Sequence, residues 1–254
     1  MILTERNRSN ATAKAKRSTY VARLAQNADE VRHAQRLRFE VFNLELGEGL
    51  AESHATGLDV DPFDEFCDHL IVEETPTGEI VGTYRLQTGQ LAAANLGYYC
   101  EREFDFAPYE PFRCEIIELG RACVHAEHRN FNLLHLVWRG IASYAIERRA
   151  RFLIGCSSLT SQDPMEGAAM YHQLRSKFLV KPAWRAMPRS PFDFDIDLAV
   201  TSDSPPPKLL RAYLAIGANI CGPPAIDREF GTIDFLTLLD LRALPVIVRA
   251  HFLR

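Results

Sequence analysis

The sequence predicts an α/β fold in which a mixed β-sheet is flanked by helices. Short strand-like runs alternate with longer segments whose apolar residues recur at helical spacing. The turn Thr-Pro-Thr-Gly at residues 75–78 joins two runs into a hairpin, whereas helical segments separate the later runs. Strands connected in both ways are typical of a mixed sheet. A chain of 254 residues that is 47% hydrophobic can bury one large core or two modest ones.

The first half supplies a strand, a helix, a long loop and the hairpin. We expect a strand at 20–25 and, after a capping pair formed by Asn27 and Glu30, a helix to about residue 46. Residues 47–67 are predicted to form a loop that ends in three aspartates, and loops of this length are usually functional or disordered. The hairpin strands are expected at 69–73 and 79–87.

The second half alternates strands and helices. Residues 88–112 are predicted to be irregular. Strands are expected at 113–125, at 152–156 and from 177–180, and helices at 131–149, 165–175 and 209–220. A proline-rich connector covers 188–207, and an apolar segment covers 233–239. We predict a polar basic tail at 1–18, one domain at 19–195, and a C-terminal extension at 196–254 that packs on the domain.

Composition excludes several classes. A net charge of −4 argues against a nucleic-acid partner. The six cysteines show no C-x-x-C spacing, which favours buried thiols in a reducing compartment over disulfides. No secretory signal or membrane span is evident, so a cytoplasmic protein is expected. Basic residues near both ends leave open a peripheral contact with the inner face of the membrane.

The strand at 113–125 contains two charges that are costly to bury unless they have partners or a task, Glu118 and Arg121. Gly120 lies between them and predicts a β-bulge, which would bring both side chains to one face. A structural ion pair between strands is the alternative.

Three ordered motifs resemble those of a known family. They are Arg-Leu-Arg-Phe-Glu-Val-Phe at 36–42, Asp-Pro-Phe-Asp-Glu-Phe-Cys-Asp-His-Leu-Ile-Val at 61–72, and Glu-Leu-Gly-Arg-Ala-Cys-Val-His-Ala-Glu-His-Arg at 118–129. They are similar to the acyl-carrier-protein-dependent N-acyltransferases of the GNAT superfamily, nearest the ornithine-lipid type. Acyl-homoserine-lactone synthases and N-acyl amino acid synthases are more distant relatives.

The resemblance implies a GNAT-like fold and a specific reaction. A long 3-hydroxyacyl chain would pass from acyl-carrier protein to the α-amine of an amino acid, first ornithine, to give a lyso-ornithine lipid. The donor would be the carrier's phosphopantetheine, with no separate cofactor. No metal is expected, because Cys123, His125 and His128 lack a suitably spaced fourth ligand. Cys156 as an acyl-holding nucleophile is unsupported.

The resemblance also implies site residues. Those expected to line the amino-substrate pocket are Arg38, Phe42, Asp61, Asp64 and Arg85. Arg38 or Arg85 can donate two hydrogen bonds to an α-carboxylate. Asp61 or Asp64 can bind an ammonium group. A solvated turn is the alternative for the aspartates. Glu118 is the candidate base, or a positioning residue, because an α-ammonium must lose a proton before it attacks. Arg121 would orient the acid or the substrate, and backbone N–H groups at the bulge would polarise the thioester carbonyl.

The segment Arg-Asn-Phe-Asn-Leu-Leu at 129–134 departs from acetyl-CoA-dependent relatives. It keeps the arginine but lacks both glycines that let a loop approach a pyrophosphate, which favours a carrier-protein donor. Because such a carrier is acidic, basic docking residues are expected. The candidates are Arg129, Arg148, Arg149, Arg151 and Lys177; an ordinary solvated helix face is the alternative. A different acceptor, a CoA-dependent enzyme and a non-enzymatic membrane-active protein also remain open.

Overall fold

The computed structural model describes residues 19–198, 204–246 and 248–249. Within these ranges eight strands form one sheet in the order β1-β2-β3-β4-β5-β8-β6, with β7 beside β8. The strands are β1 Tyr20–Leu24, β2 Asp68–Glu74, β3 Ile80–Thr88, β4 Ile116–Val124, β5 Phe152–Leu159, β6 Asn219–Ile220, β7 Ala225–Asp227 and β8 Thr232–Asp240. The pair β4–β5 is parallel and the other pairs are antiparallel. The predicted mixed sheet is therefore confirmed.

Helices cover the sheet. The α-helices of the described ranges are α1 Ala28–Phe39, α2 Ser53–Thr56, α3 Gly89–Ala94, α4 Phe131–Glu147, α5 Pro164–Phe178 and α6 Lys208–Ile216. The side chain of Asn27 accepts a hydrogen bond from the Glu30 N–H at 3.0 Å, as the capping pair predicts. The Glu30 carboxylate instead binds Arg23 and the Gln26 N–H. Helix α1 continues as a π-helix, Glu40–Leu46, so the predicted helical extent is right although its last turns are wider.

Residues 88–112, predicted to be irregular, contain α3 and short 3-10 helices, and two further predicted elements are wrong in the second half. Residues 177–180 do not begin a strand, because α5 continues to Phe178 and only an isolated bridge links Leu179 to Ile220. The helix expected at 209–220 stops at Ile216, where Gly217 adopts a left-handed conformation with φ of 108°. A left-handed residue ends a helix, and glycine adopts it without steric cost. The chain can then form β6 at the sheet edge.

The C-terminal residues complete the sheet. Strand β8 pairs with β5 along its length, from Phe152 opposite Asp240 to Leu159 opposite Ile233. The boundary at residue 195 stays a prediction, but in the structure the sheet continues across it. The basic tail at 1–18 lies outside the described residues.

The neighbours β4 and β5 separate part-way along their length. They pair at Ile116–Phe152, Ile117–Leu153 and Glu118–Ile154, after which both strands continue without pairing to each other. At this point the Leu119 carbonyl approaches Gly155 so closely that a Cβ atom there would lie 2.2 Å from the oxygen. A side chain would not fit. The divergence creates an opening in the middle of the sheet.

Candidate functional site

Six buried charged residues form one cluster beside this opening, which we call the arginine–aspartate cage. Helix α1, strand β3 and strand β4 each contribute one arginine, and the segment before β2 contributes the acids. The members are Arg38, Arg85, Arg121, Asp59, Asp61 and Asp64. Since three positive and three negative groups meet, the cage is neutral when all are ionised.

Arg38 is the innermost member, with no exposed surface. Its Nε donates to Asp59 Oδ2 at 2.8 Å, and its Nη1 and Nη2 donate to the two oxygens of Asp64 at 3.0 and 2.6 Å. Nη2 also donates to the Asp59 backbone carbonyl. Because these groups occupy the whole guanidinium fork, Arg38 orients the acidic segment in this arrangement.

The other two arginines share Asp61. Arg85 Nη1 donates to Asp61 Oδ1 at 2.5 Å and to Asp64 Oδ1 at 3.0 Å. Arg121 Nη2 donates to Asp61 Oδ2 at 2.8 Å, and its Nε lies 3.4 Å from Asp59 Oδ2. Asp61 also caps the short helix Pro62–Phe66 by accepting the Phe63 N–H. The aspartates thus cap a backbone, as one alternative held, but they are buried rather than solvated.

Asp61 and Asp64 stay ionised although they are buried. Burial opposes ionisation of Asp64, but Arg38 and Arg85 outweigh it and hold the pKa of that carboxyl well below its usual range. Burial likewise opposes ionisation of Asp61, and Arg85 and Arg121 lower its pKa. Breaking such a network by removing one member leaves an uncompensated buried charge.

Strand β4 carries a bulge, but not at Gly120. Gly120 pairs with Arg85, and Cys123 pairs with Thr83, so Arg121 and the residue after it oppose a single residue of β3. Arg121 adopts a φ of 50°, a left-handed conformation that is uncommon for a residue with a side chain. The predicted bulge therefore begins one residue later than Gly120, at Arg121 itself. Strained backbone of this kind concentrates at functional sites.

Glu118 is held by backbone amides. The N–H groups of Tyr99 and Cys100 donate to its Oε2 and Oε1, each at 2.8 Å. Burial raises the pKa of Glu118, while hydrogen bonds from Cys100 and Tyr99 and the nearby Arg85 oppose the rise. The alternative of an ion pair with Arg121 is wrong, because Arg121 pairs with the aspartates instead.

Aromatic rings join Glu118 to the cage. The Tyr99 ring lies 4.9 Å from the Arg121 guanidinium and 5.6 Å from that of Arg85. Phe230 covers Arg121 at 4.4 Å, and Phe42 packs edge-to-face on Phe230 at 5.5 Å. Such contacts are strongest where water is excluded. Phe42 therefore reaches the cage through Phe230, and the backbone of Tyr99 is fixed by Glu118.

Two small cavities beside the opening share lining residues, and together we call them the apolar passage. One cavity of about 20 Å³ is lined by Leu119, Gly155 and Cys156 at the opening and by Trp138 and Tyr213 further in. A second cavity of about 20 Å³ shares Trp138, Leu153 and Leu239 with the first and continues to Leu244. Helix α6 and the segment after β8 supply one wall of this passage.

The basic docking candidates do not form one patch. Arg129 precedes α4 and pairs with Glu45 at 2.5 Å. The others lie at distant helix ends: Arg148, Arg149 and Arg151 beyond α4, and Lys177 at the end of α5. Because α4 has 17 residues, its ends are about 25 Å apart. Only Arg129 lies on the side of the cage, since its Nε donates to the Val124 carbonyl at the end of β4.

Comparison with known proteins identifies the family. Residues 37–139 match the acetyltransferase (GNAT) domain family. The chain is 31% identical over 250 residues to L-ornithine N(alpha)-acyltransferase of Rhodobacter capsulatus, covering 93% of this chain and 95% of the relative. It is 33% identical over 245 residues to the L-ornithine N(alpha)-acyltransferase of Agrobacterium fabrum, covering 89% and 82%. The chain belongs to the L-ornithine N(alpha)-acyltransferase family.

Membership of this family makes the protein an amide-forming acyltransferase. Solved structures share the fold at low identity. The AHL synthase LasI superposes with a TM-score of 0.53 at 11% identity, over 92% of this chain and 94% of that protein. FeeM, an N-acyl amino acid synthase from uncultured soil microbes, superposes with a TM-score of 0.53 at 13% identity over the same shares. Among the described residues, no helix is both long and apolar enough to cross a membrane.

Sequence reasoning found most of the cage and missed its surroundings. It did not select Asp59, although the residue stands among the three aspartates that ended the predicted loop. It also missed Tyr99, which lies in a segment predicted to be irregular, and two buried acids, Glu103 and Asp234. Nothing in their local sequence marks these acids, because only the folded sheet brings them together.

Proposed function

We propose that this protein transfers a long 3-hydroxyacyl chain from acyl-carrier protein to the α-amine of L-ornithine. The acceptor follows from the relatives that cover nearly the whole chain, whose names state that they acylate L-ornithine at Nα. The observation that supports amide formation at this site is the buried cage beside the opening between β4 and β5.

The opening is where we propose that the thioester binds. Beyond Glu118 and Ile154 the two strands no longer pair with each other, so their facing backbone groups can contact a ligand. A backbone N–H of β4 would then polarise the thioester carbonyl as negative charge develops on its oxygen. The α-ammonium first loses one proton to solvent, and the neutral amine attacks that carbon. The carbon–sulfur bond then breaks, the amine nitrogen gives up a second proton to the departing sulfur, and pantetheine leaves as the thiol.

Glu118 has two candidate roles, and its contacts favour the second. As a base it would take the proton of the attacking ammonium, and the raised pKa suits that task. As a positioning residue it would hold the turn that carries Tyr99 against Arg85 and Arg121. Because each carboxylate oxygen already accepts a backbone N–H, we assign Glu118 to positioning.

The cage residues would define the amino-substrate pocket. Arg38 and Asp64 are bound to each other, so we propose that they shape the pocket without direct contact with substrate. Arg121 is better placed to orient the acceptor, since it lies at the bulge between Tyr99 and Phe230. Phe42 supports Phe230 from behind.

The apolar passage would receive the acyl chain. A cavity of about 20 Å³ accommodates about one water molecule, so a long chain requires its wall to move. The wall formed by α6 and the segment near Leu244 is the part we expect to shift, because the other walls are paired strands and the core helix α4.

The carrier protein would dock at the N-terminal end of α4. Arg129 lies there, beside side chains that are apolar and exposed: Leu44, Leu46, Phe131 and Leu134. A basic residue within an apolar patch suits a carrier that presents acidic and apolar residues. The phosphate of the carrier's phosphopantetheine would compete with the Glu45 carboxylate for the Arg129 guanidinium. The basic residues at the far end of α4, about 25 Å away, would contribute less to carrier binding.

The test combines purified protein, 3-hydroxyacyl carrier protein and L-ornithine, with mass spectrometry of the product. We expect N-acylornithine from the wild type and little from Glu118→Gln. The matched control is Glu115→Gln, which alters a half-exposed acid just before the same strand and should leave product formation unchanged. Equal rates with 3-hydroxyacyl-CoA would contradict the carrier-protein donor, and absence of amide product from folded wild type would contradict the function.

A further inference from the structure

A second acidic group lies near the cage. Glu103 follows the short helix Tyr99–Arg102, and Asp234 lies on β8, so distant parts of the chain bring the two carboxyls together. One oxygen of each acid and Cys156 Sγ all lie within 4.8 Å of one another. Glu103 is 1% exposed and Asp234 is 4% exposed. We call Glu103 and Asp234 the acid pair.

The acid pair differs from the cage because no cationic residue in the described part of the chain is ion-paired with it. Within the described ranges, every cage aspartate is in an ion pair with arginine, whereas neither member of the acid pair is. One oxygen of each, Glu103 Oε1 and Asp234 Oδ1, has no hydrogen-bond partner among those same residues. Buried carboxylate oxygens are almost always bonded, and here the partner that the protein supplies is a proton shared between the two carboxyls, which a cationic donor could replace.

Nearby acids are satisfied by the protein itself. Asp227 Oδ1 accepts the N–H groups of Glu229 and Phe230, each at 2.9 Å, and its Oδ2 lies 3.4 Å from the Tyr99 hydroxyl. Asp227 therefore caps a turn, and its carboxylate is already used. Glu103 and Asp234 therefore differ from Asp227, whose two oxygens both have donors within the protein.

The acid pair adjoins the opening in the sheet. Cys156 Sγ lies 3.8 Å from Glu103 Oε2, and Cys156 also lines the cavity at the separation of β4 and β5. Glu103 ends the same turn that Glu118 holds through Tyr99 and Cys100. An acceptor whose α-amine attacks a thioester in the opening would thus have the rest of its side chain close to the acid pair.

We propose that Glu103 and Asp234 bind the side-chain ammonium of the acceptor and thereby select a diamino acid over a neutral one. This inference rests on the proposed function and names the residues behind its acceptor specificity. An ammonium is a compact charge with three donors, which matches a pair of carboxyls with free oxygens. Without it, burial raises the pKa of Asp234 to about 6 and that of Glu103 well above its usual range, so the pair retains a proton.

The test measures selectivity between L-ornithine and L-norvaline, which has the same carbon chain without the side-chain amine. In the wild type we expect a large preference for L-ornithine in kcat/KM. In Asp234→Asn and in Glu103→Gln, kcat/KM for L-ornithine should fall roughly 10- to 100-fold, as expected when a charged hydrogen bond is lost. The value for L-norvaline should remain unchanged or rise. Asp105→Asn, which alters an exposed acid two residues after Glu103, should leave both values unchanged.

A binding measurement separates recognition from chemistry. Calorimetry of L-ornithine with the free protein in buffers of different ionisation enthalpy should reveal proton release, because the ammonium displaces the proton of the pair. Each variant should release fewer protons. Circular dichroism shows whether a variant is folded.

Three results would overturn the inference. The first is an L-ornithine preference that both folded variants retain. The second is wild-type acylation of L-norvaline as efficiently as L-ornithine, which would leave the proposed transferase activity intact. The third is a stoichiometric metal ion that is present in the purified wild type and lost in the variants, which would make the group a metal site. Failure of the wild type to acylate any amino acid would instead refute the proposed function itself.

Discussion

Replacing Asp234 by asparagine should stabilise the folded protein at neutral pH. The carboxyl is fully buried, and burial, together with the charge of Asp227, raises its pKa from 3.8 to about 6. Above that pH the folded chain holds an ionised carboxylate in a place that disfavours charge. Asparagine has nearly the same shape and carries no charge, so the variant avoids this cost.

The magnitude follows from the pKa difference. A rise from 3.8 to about 6 corresponds to a cost of about 3 kcal/mol once the group is ionised in both states. Because the folded pKa is raised, the contribution of Asp234 to stability is full below the unfolded pKa and is lost as pH rises through the folded pKa. The variant should therefore match the wild type near pH 4 and exceed it by about 3 kcal/mol above about pH 7. For a chain of this size, the gain corresponds to roughly 6–12 °C in Tm.

Urea denaturation of both proteins from acidic to mildly basic pH measures the difference directly. Asp105→Asn is the control, because it makes the same chemical change at an exposed carboxyl that no burial penalty affects. A stability difference that is independent of pH, or a variant that is less stable than the wild type above pH 7, would refute the reasoning. Either result would mean that the Asp234 carboxylate is compensated in the folded state without ligand.

Two further substitutions test the frame around the opening. Asp64→Asn should lower stability by about 3–5 kcal/mol in urea denaturation at neutral pH, because it leaves two cage arginines without a full charge partner. The matched change at an exposed ion pair, Glu45→Gln, should cost less than about 1 kcal/mol. Gly155→Ala should lower Tm and acyl transfer, because its methyl group would lie 2.2 Å from the Leu119 carbonyl oxygen. Gly120→Ala is its thermal control, since the nearest atom there is 3.9 Å away; similar Tm losses in the two glycine variants would contradict the packing argument.

The sequence predicted the fold well where local signals act alone. The hairpin of β2 and β3 follows from turn residues, and α4 follows from its apolar spacing. The structure adds a cap that the prediction did not use, since the Asn130 side chain accepts the Leu133 N–H at 3.0 Å. It failed where tertiary contacts decide. Residues 177–180 read as a strand, but packing of Leu174 against the C-terminal helix and strands lets α5 continue to Phe178.

The same distinction explains the site. Buried charges inside apolar segments are visible in a sequence, which is why Glu118 and Arg121 could be selected, whereas Arg85 was implied by the family resemblance. Their partners could not be deduced, because the pairing of Arg121 with Asp61 joins residues 60 positions apart. The acid pair has no local signal, since Asp234 alternates with apolar residues in β8 as a solvent-facing residue would. Its burial depends on strands and turns that enclose it from other parts of the chain.

The cage and the acid pair have different proposed functions: the cage fixes the geometry of the site, and the acid pair binds the ligand ammonium. A buried ion-pair network adds little net stability over an apolar core, because desolvation offsets the attraction, so its value lies in fixed geometry. In the cage each aspartate already pairs with an arginine, although Asp59 Oδ1 accepts no hydrogen bond among the described residues, so an added cation would gain less there. The acid pair lies close to the cage and is equally buried, but it has no ion-pair partner among the described residues. A ligand ammonium can therefore supply the ion pair that the acid pair lacks. If the stability gain of Asp234→Asn and its loss of L-ornithine selectivity occur in the same variant, the buried acid is retained for binding at the expense of stability.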